Sequence, residues 1–208
     1  MPSEPPPTHG EAAVKPAAAD PHAQASPPSP SPWVLRFAPL IPARAEVLDL
    51  ACGSGRHARV LAAMGHAVLG VDRDAVALQA LRDVPGVRVL QADLENAPWP
   101  LRERFGAVVV TNYLWRALLP RIVGSVDPGG VLLYETFALG QSSIGRPSNP
   151  QFLLRPGELL DAVRGELRVV AYEDGFAPGP RPAFVQRICA VRESAPGAMA
   201  ADPPKYNL

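Results

Sequence analysis

The stretch Glu46-Val47-Leu48-Asp49-Leu50-Ala51-Cys52-Gly53-Ser54-Gly55 joins a carboxylate to a glycine turn. Val47, Leu48 and Leu50 suit a buried parallel strand, Gly53-Ser54-Gly55 ends it, and a helix-like stretch, Arg56 to Met64, follows at once. Strand, glycine turn and helix bring backbone N–H groups close to a nucleotide-like ligand. Asp49 lies inside the strand, four residues before Gly53. A carboxylate there suits a ligand with a cationic ammonium group better than one with a pyrophosphate. Two more carboxylates close later apolar runs: Asp72 after Ala67 to Val71, and Asp93 just past Val87 to Gln91.

The elements that must position these groups alternate. The first strand is Glu46 to Ala51. Ala58, Leu61, Ala62 and Met64 are spaced to face a core, and Gly65 sits where a helix C-cap belongs. Strand Ala67 to Val71 is followed by a helix that Asp74 can cap, with Leu78 and Leu81 inward, stopped by Pro85-Gly86. Strand Val87 to Gln91 precedes the all-apolar run Ala107 to Thr111, as a central parallel strand requires. Leu114 to Val126 reads as helical, with Pro120 tolerable near a helix start. Asp127-Pro128-Gly129-Gly130 turns into strand Val131 to Glu135, and a Gly-, Pro-, Ser- and Asn-rich loop spans 138–157. Helix Glu158 to Val163, strand Leu167 to Tyr172 and strand Ala183 to Val191 complete the series. The link Ala177-Pro178-Gly179-Pro180 is too short for a helical crossover, so the last strand should run antiparallel. The alternation predicts an α/β fold: a three-layer Rossmann-like sandwich, its seven-stranded sheet mostly parallel with an antiparallel last strand. Trp33 to Leu40 is a short apolar piece with two open readings, a helical turn covering the pocket or a plug on the domain edge.

Composition bounds the rest. The 208 residues suit one domain, expected over 33–193. Residues 1–32, dominated by Pro, Ala and Ser, read as a disordered tail, and 194–208 as a flexible C-terminal tail. Twenty basic and 20 acidic residues cancel, which gives no general pull toward nucleic acid or an anionic membrane. Two cysteines are too few for a disulfide framework. No apolar run reaches the roughly 18 residues of a membrane span, and no secretory layout opens the chain. A cytoplasmic location is the expectation, and no metal-ligand cluster stands out.

Two ligands compete for the glycine turn. Gly53-x-Gly55-x-x-Ala58 satisfies the dinucleotide fingerprint, and Asp72 lies near the ribose-binding distance. Three features favour S-adenosylmethionine (SAM) instead: Asp49, placed to accept from a methionyl ammonium; Asp93, suited to an adenine amino group but also to capping a turn; and the antiparallel ending.

With these residues in hand, the chain from about Trp33 to Val191 resembles the class I SAM-dependent methyltransferases. Val47 to Gly55 looks like that family's first motif, Val71-Asp72 the second and Ala92-Asp93-Leu94 the third; Asn112-Tyr113 lies where the fourth belongs, and Pro128-Gly129-Gly130 resembles the turn before the fifth strand. Gly55-Arg56 and Leu154-Arg155-Pro156-Gly157-Glu158 look like the tellurite-resistance-type branch. The resemblance implies SAM as cofactor and methyl transfer to a small-molecule nucleophile by in-line displacement. It implies that Gly53 and Gly55 allow close backbone approach, that Asp72 holds the ribose and Asp93 the adenine edge, and that Asn112 sits near the methionyl end with Tyr113 lining the methyl channel. Asn-Tyr-Leu-Trp at 112–115 departs from the Asn/Asp-Pro-Pro-Tyr/Phe of DNA-type amino methyltransferases and disfavours that substrate class.

Catalytic groups are less defined. A thiolate or a selenium or tellurium anion needs no general base. Glu135, at a strand end, is the candidate base, with a cap or a partnership with Arg146 as its structural alternative. His57, His66 and Cys52 read as packing or turn residues, as do Trp99 and Trp115, although Trp115 could instead rim the substrate pocket. Loop 138–157 is the expected specificity element, its Arg146, Asn149 and Arg155 either meeting substrate or tying the loop to Glu135 and Glu158. An NAD(P)-binding oxidoreductase is the alternative enzyme, but the only lysines are Lys15 and Lys205, so no core Tyr–Lys pair exists. A methyltransferase-like binding subunit without activity is the other alternative. Oligomeric state is not encoded in any feature of the chain.

Overall fold

Seven strands form one sheet in the order β3-β2-β1-β4-β5-β7-β6. The computed structural model describes residues 29–194 and 205–206, so the expectations for 1–28 and for most of the C-terminal tail lie outside the described residues. The strands are β1 (Glu46–Leu50), β2 (Ala67–Asp72), β3 (Val87–Gln91), β4 (Phe105–Thr111), β5 (Val126–Phe137), β6 (Arg168–Ala177) and β7 (Ala183–Val191). The first five run parallel, while β7 pairs antiparallel with both β5 and β6. This is the expected sandwich with its antiparallel last strand.

Each face of the sheet buries its own core, so the strands between them are apolar on both sides. On one face α1 (Pro32–Phe37), α2 (Arg56–Ala63) and α3 (Ala75–Gln79) bring Trp33, Phe37, Leu61 and Leu78 onto Val47, Val109 and Leu133. On the other, α4 (Leu119–Gly124) and α5 (Glu158–Val163) bring Ile122, Leu159 and Val163 onto Leu48, Val108 and Leu132. Trp33 also donates its indole N–H to the Ile188 carbonyl at 3.3 Å. Segment 33–40 is therefore a plug on one face of the sheet.

Several elements depart from expectation. Leu114 to Val126 is not one helix. Trp115 is extended (φ −136°, ψ 103°), a 3-10 turn covers Arg116–Leu118, and only α4 is α-helical. Pro120 sits in the first turn of α4, and a proline there marks a helix start, not an interior. The second departure is β5, which begins at Val126. Its register with β4 slips between Phe105/Ala107 as the Asp127–Gly130 turn is absorbed as a bulge. A Cβ on Gly130 would sit 3.0 Å from the Gly106 and Phe105 carbonyl oxygens, so only glycine lets β5 rejoin β4 there. The loop 138–157 carries 3-10 turns at Gln141–Ser143 and Pro150–Phe152, and β6 runs on to Ala177 because β7 supplies a partner for every added residue.

Candidate active site

The expected site residues converge on the carboxyl ends of the parallel strands. Asp72 ends β2, Asp93 follows β3, Asn112 follows β4, and the glycine turn follows β1. A cavity of about 170 Å³ lies there between Ala51, Asp72, Asp93, Leu94 and Tyr113. A second, of about 320 Å³, lies between Asn112, Tyr113, Thr136, Phe137, Pro147 and Phe152. Arg73, Glu95 and Tyr113 line both. Glycine-turn and strand-end backbone is strained here: Ala51 (φ 52°) and Asn112 (φ 55°) are left-handed without being glycine. Such residues cost on the order of 1–2 kcal/mol each and persist where the surroundings fix them.

Each carboxylate is held by backbone. Gly53 N–H donates to Asp72 Oδ2 at 2.7 Å and Asp74 N–H to Oδ1 at 2.9 Å. A carboxylate offers about four acceptor positions, so both oxygens keep a lone pair for a further donor. Asp93 accepts from Glu95 N–H (3.0 Å), Asn96 N–H (3.2 Å) and the Asn96 side-chain amide (2.9 Å). The Asn96 amide first, then those backbone N–H groups, hold its pKa below the usual carboxylate value. Asp93 thus caps its turn and lines the first cavity at once. Asp49 is buried, and its Oδ2 accepts from Ala58 N–H at 2.9 Å. Burial pushes its pKa up to about 7, against the pull of that N–H and of the Arg56 charge.

The two glycines differ. A Cβ on Gly53 (φ +55°) would meet nothing within 4 Å, so its surface is open to a ligand. A Cβ on Gly55 (φ +75°) would lie 2.3 Å from Leu81 Cδ2, so that glycine is dictated by packing against the segment after α3. Tyr113 is half-buried, its hydroxyl has no hydrogen-bond partner among the described residues, and burial raises its pKa to about 12, so it is a neutral donor at the junction of the cavities.

Glu135 lines neither cavity. It is buried against Arg187, which faces it in the β5–β7 register and also bonds Glu173. Its partner is therefore Arg187, not Arg146. His57 accepts from Ser31 N–H at 3.0 Å through Nε2 and lies 3.4 Å from Thr111 Oγ1 through Nδ1. Burial, then the Arg56 charge, lowers its pKa to about 4, so it is a neutral packed histidine. Cys52 is half-buried, and desolvation pushes its thiol pKa far up, so it stays a neutral thiol.

Loop 138–157 is fixed by residues that sequence reasoning passed over. Arg116 donates Nε to Glu158 Oε1 (2.7 Å) and Nη2 to Oε2 (2.9 Å), and bonds the Gln151 and Leu153 carbonyls at 2.6 and 2.8 Å. Buried Gln141 joins the Arg146 carbonyl to Phe184 N–H, and buried Gln186 joins the Arg155 carbonyl to Leu159 N–H. Arg155 reaches Glu158 at 3.4 Å, the loop-tying one of its two readings, but Arg146 is exposed and has no carboxylate partner among the described residues.

A family model for the methyltransferase domain matches residues 47–130. No protein of curated function matches the chain in sequence. Among solved structures, TehB from Haemophilus influenzae matches with a TM-score of 0.63 at 20% identity over 77% of this chain; this chain covers 61% of that protein. A TehB-like SAM-dependent methyltransferase from Corynebacterium glutamicum matches with a TM-score of 0.54 at 23% identity, over 76% of this chain and 87% of that one. The glycopeptide N-methyltransferase MtfA complexed with SAM gives 0.56 at 21% identity, over 85% and 100%. At these identities the likeness is one of fold. No helix among the described residues is long and apolar enough to cross a membrane, and no group of three or more His, Cys, Asp or Glu among them could hold a metal ion. Residues 47–130 thus match the methyltransferase-domain model, and the seven-stranded sheet with its antiparallel last strand shares the fold of these structures.

Proposed function

We propose that the chain methylates a small-molecule nucleophile with SAM, the donor occupying the first cavity and the acceptor the second. The observation that carries this reading is two adjoining cavities sharing Tyr113, one walled by the strand-end carboxylates Asp72 and Asp93, the other closed by loop 138–157. SAM supplies a methyl group already activated on a sulfonium, ready for in-line displacement. Asp72 takes the ribose diol, Asp93 the adenine edge, Gly53 gives close backbone approach, and Asp49 and Asn112 flank the methionyl end. Tyr113, neutral and without a partner, lines the transfer channel and orients the acceptor.

The chain's task is then placement and exclusion of water. Alignment alone contributes on the order of 7–11 kcal/mol in the best cases. Neither cavity contains a histidine, lysine or cysteine, and Glu135 is turned to Arg187. The carboxylate lining the acceptor cavity is that of Glu95, and an acceptor whose reacting atom arrives with a free lone pair, such as a thiolate, needs no strong base there. The second cavity has room for a compact acceptor or for one end of a larger one.

Calorimetry with S-adenosylhomocysteine and NADH tests the donor, and isotope-labelled SAM with a metabolite extract, read by mass spectrometry, tests the acceptor. Binding of NADH in place of S-adenosylhomocysteine refutes the reading. Asp72→Ala should weaken the nucleoside by about tenfold or more, the worth of a charge-assisted hydrogen bond.

A further inference from the structure

The two cavities share Arg73, Glu95 and Tyr113, so a methyl group passing from one to the other crosses these side chains. Beyond them the second cavity changes character, with Leu114, Phe137, Pro147 and Phe152 making an apolar wall. An acceptor seated there lays its apolar body on that wall and presents its reacting atom at the junction.

The junction is electrically negative. Glu95 is half-buried and Arg73 is exposed, and solvent screens an exposed charge more than a half-buried one. Asp72 and Asp93 add two further carboxylates from the first cavity. The Glu95 backbone N–H bonds Asp93 at 3.0 Å, but its carboxylate has no hydrogen bond or ion pair among the described residues. Its field reaches the Tyr113 hydroxyl: after burial, Glu95 is the strongest of the charges that raise the Tyr113 pKa to about 12.

In-line displacement moves charge across this junction. A neutral nucleophile bonds to the methyl carbon as the carbon–sulfur bond breaks. The electron pair of that bond stays on sulfur, and the positive charge passes to the nucleophile. A carboxylate fixed beside the nucleophile stabilises the charge as it develops. A thiolate would instead begin as an anion against Glu95 and lose its charge in the step. An uncharged primary amine also fits the hydrogen-bonding groups. It has two N–H donors and one lone pair, while a carboxylate and a hydroxyl oxygen both accept.

We infer that the acceptor is a primary amine on an apolar body, its N–H groups held by the Glu95 carboxylate and the Tyr113 hydroxyl oxygen and its lone pair left for the methyl; this deepens the methyl-transfer reading above and rests on it. The methylated ammonium then releases its extra proton to solvent. Arg73 is the rival group, because it would favour an anionic acceptor.

The test uses 2-phenylethylamine and 2-phenylethanethiol, which share one body and differ in the reacting atom. The full chain is given methyl-labelled SAM, and mass spectrometry follows the labelled products. The amine should exceed the thiol in kcat/KM by roughly tenfold or more. The donor is common to both, so any effect on the donor cancels in this ratio. Glu95→Gln keeps the shape and removes the charge; it should lower the amine value roughly ten- to a hundredfold and leave the thiol value within about threefold. Glu95→Asp should restore part of the preference, and Arg73→Met should leave it intact. Equal losses for both acceptors in Glu95→Gln, a thiol preferred by wild type, or a preference that follows Arg73 overturns the assignment. Circular dichroism and thermal melting of each variant separate a folding defect from a catalytic one. A wild type that binds S-adenosylhomocysteine by calorimetry but yields no labelled amine refutes this inference alone; one that does not bind it refutes the donor reading as well.

Discussion

Replacing Arg116 should loosen loop 138–157 and lower stability together. Arg116 makes two bonds to Glu158, whose side chain is only 10% exposed, and two to loop carbonyls. Removing one partner of a buried pair costs about 3–5 kcal/mol. The Arg116 side chain is 34% exposed, so solvent screens part of the pair, and the freed carbonyls can be rehydrated; about 3 kcal/mol is the reasonable figure. For a domain this size that lowers Tm by roughly 6–12 °C. Arg116→Met keeps the apolar stem, so it isolates the charge. Denaturant unfolding of wild type, Arg116→Met, Glu158→Gln and the double variant should give a coupling of about 1–3 kcal/mol. The effect carries a pH signature. Burial pushes the Glu158 pKa up, but the bonds from Arg116 and Arg155 outweigh it and hold it below the usual 4.5. A depressed acid stabilises fully above its unfolded pKa and loses that contribution as pH falls through the folded value. The gap between wild type and Arg116→Met should therefore narrow as pH falls below the usual 4.5. Because Pro147 and Phe152 wall the second cavity, KM for the acceptor should rise while affinity for S-adenosylhomocysteine stays. A loss under about 0.5 kcal/mol, or an unchanged loss in the Glu158→Gln background, refutes the clamp.

Asp49, with its pKa raised to about 7, is partly protonated in the free protein at neutral pH, so donor binding beside it should release a proton. Affinity for S-adenosylhomocysteine should climb from pH 6 to 8, and titrations in buffers of different ionisation enthalpy should show proton release that Asp49→Asn abolishes. The folded protein holds that proton more tightly than the unfolded chain between about pH 4 and 7, so stability falls as pH rises through this window; Asp49→Asn should remove the slope. His57, with its pKa lowered to about 4, has the opposite linkage: the unfolded chain takes up its proton first, and stability drops as pH falls from 6.5 toward 4, by on the order of 3 kcal/mol. His57→Gln should flatten that acid limb, as measured by Tm against pH. Gly55→Ala should destabilise strongly through its clash with Leu81, whereas Gly53→Ala should cost only the roughly 1–2 kcal/mol of left-handed strain while impairing donor binding.

Periodicity and punctuation carried most of the fold. β3, β7 and α5 fall where the sequence places them, because each is an apolar run bounded by Pro, Gly or a cap. Leu114 to Val126 misled because its apolar spacing is helical throughout, yet the 3-10 turn at its start puts Arg116 on the clamp to Glu158. Nothing local announces that partner, 42 positions away. The Glu135 partnership was hidden for the same reason. Arg187 faces Glu135 only because β7 enters antiparallel in one particular register, and register is a property of the assembled sheet. Gly55 was visible as a motif glycine, but its reason is Leu81, a long-range packing contact.

Under the proposed assignment of donor and acceptor cavities, the two halves of the cleft are built on different physics, and this bears on how the domain could change acceptor. The donor half uses strand ends and backbone bonds: Asp72 to Gly53 N–H, Asp93 to its own turn, Asp49 to α2. These positions are fixed by the sheet and cannot shift without disturbing a core. The acceptor half is closed by a loop pinned at its neck, where Leu139 N–H meets the Leu154 carbonyl and Leu154 N–H the Phe137 carbonyl, both at 2.9 Å. Buried Gln141 and Gln186 and the Arg116 clamp complete the attachment. Between these anchors, Ser142 to Pro150 is largely exposed. Substitutions there can reshape the wall at Pro147 while leaving every anchor and every donor contact in place. The closure entropy is already met at the neck and grows only slowly with loop length, so even insertions in the tip should cost little stability. Acceptor preference is thus the property this architecture leaves freest to vary.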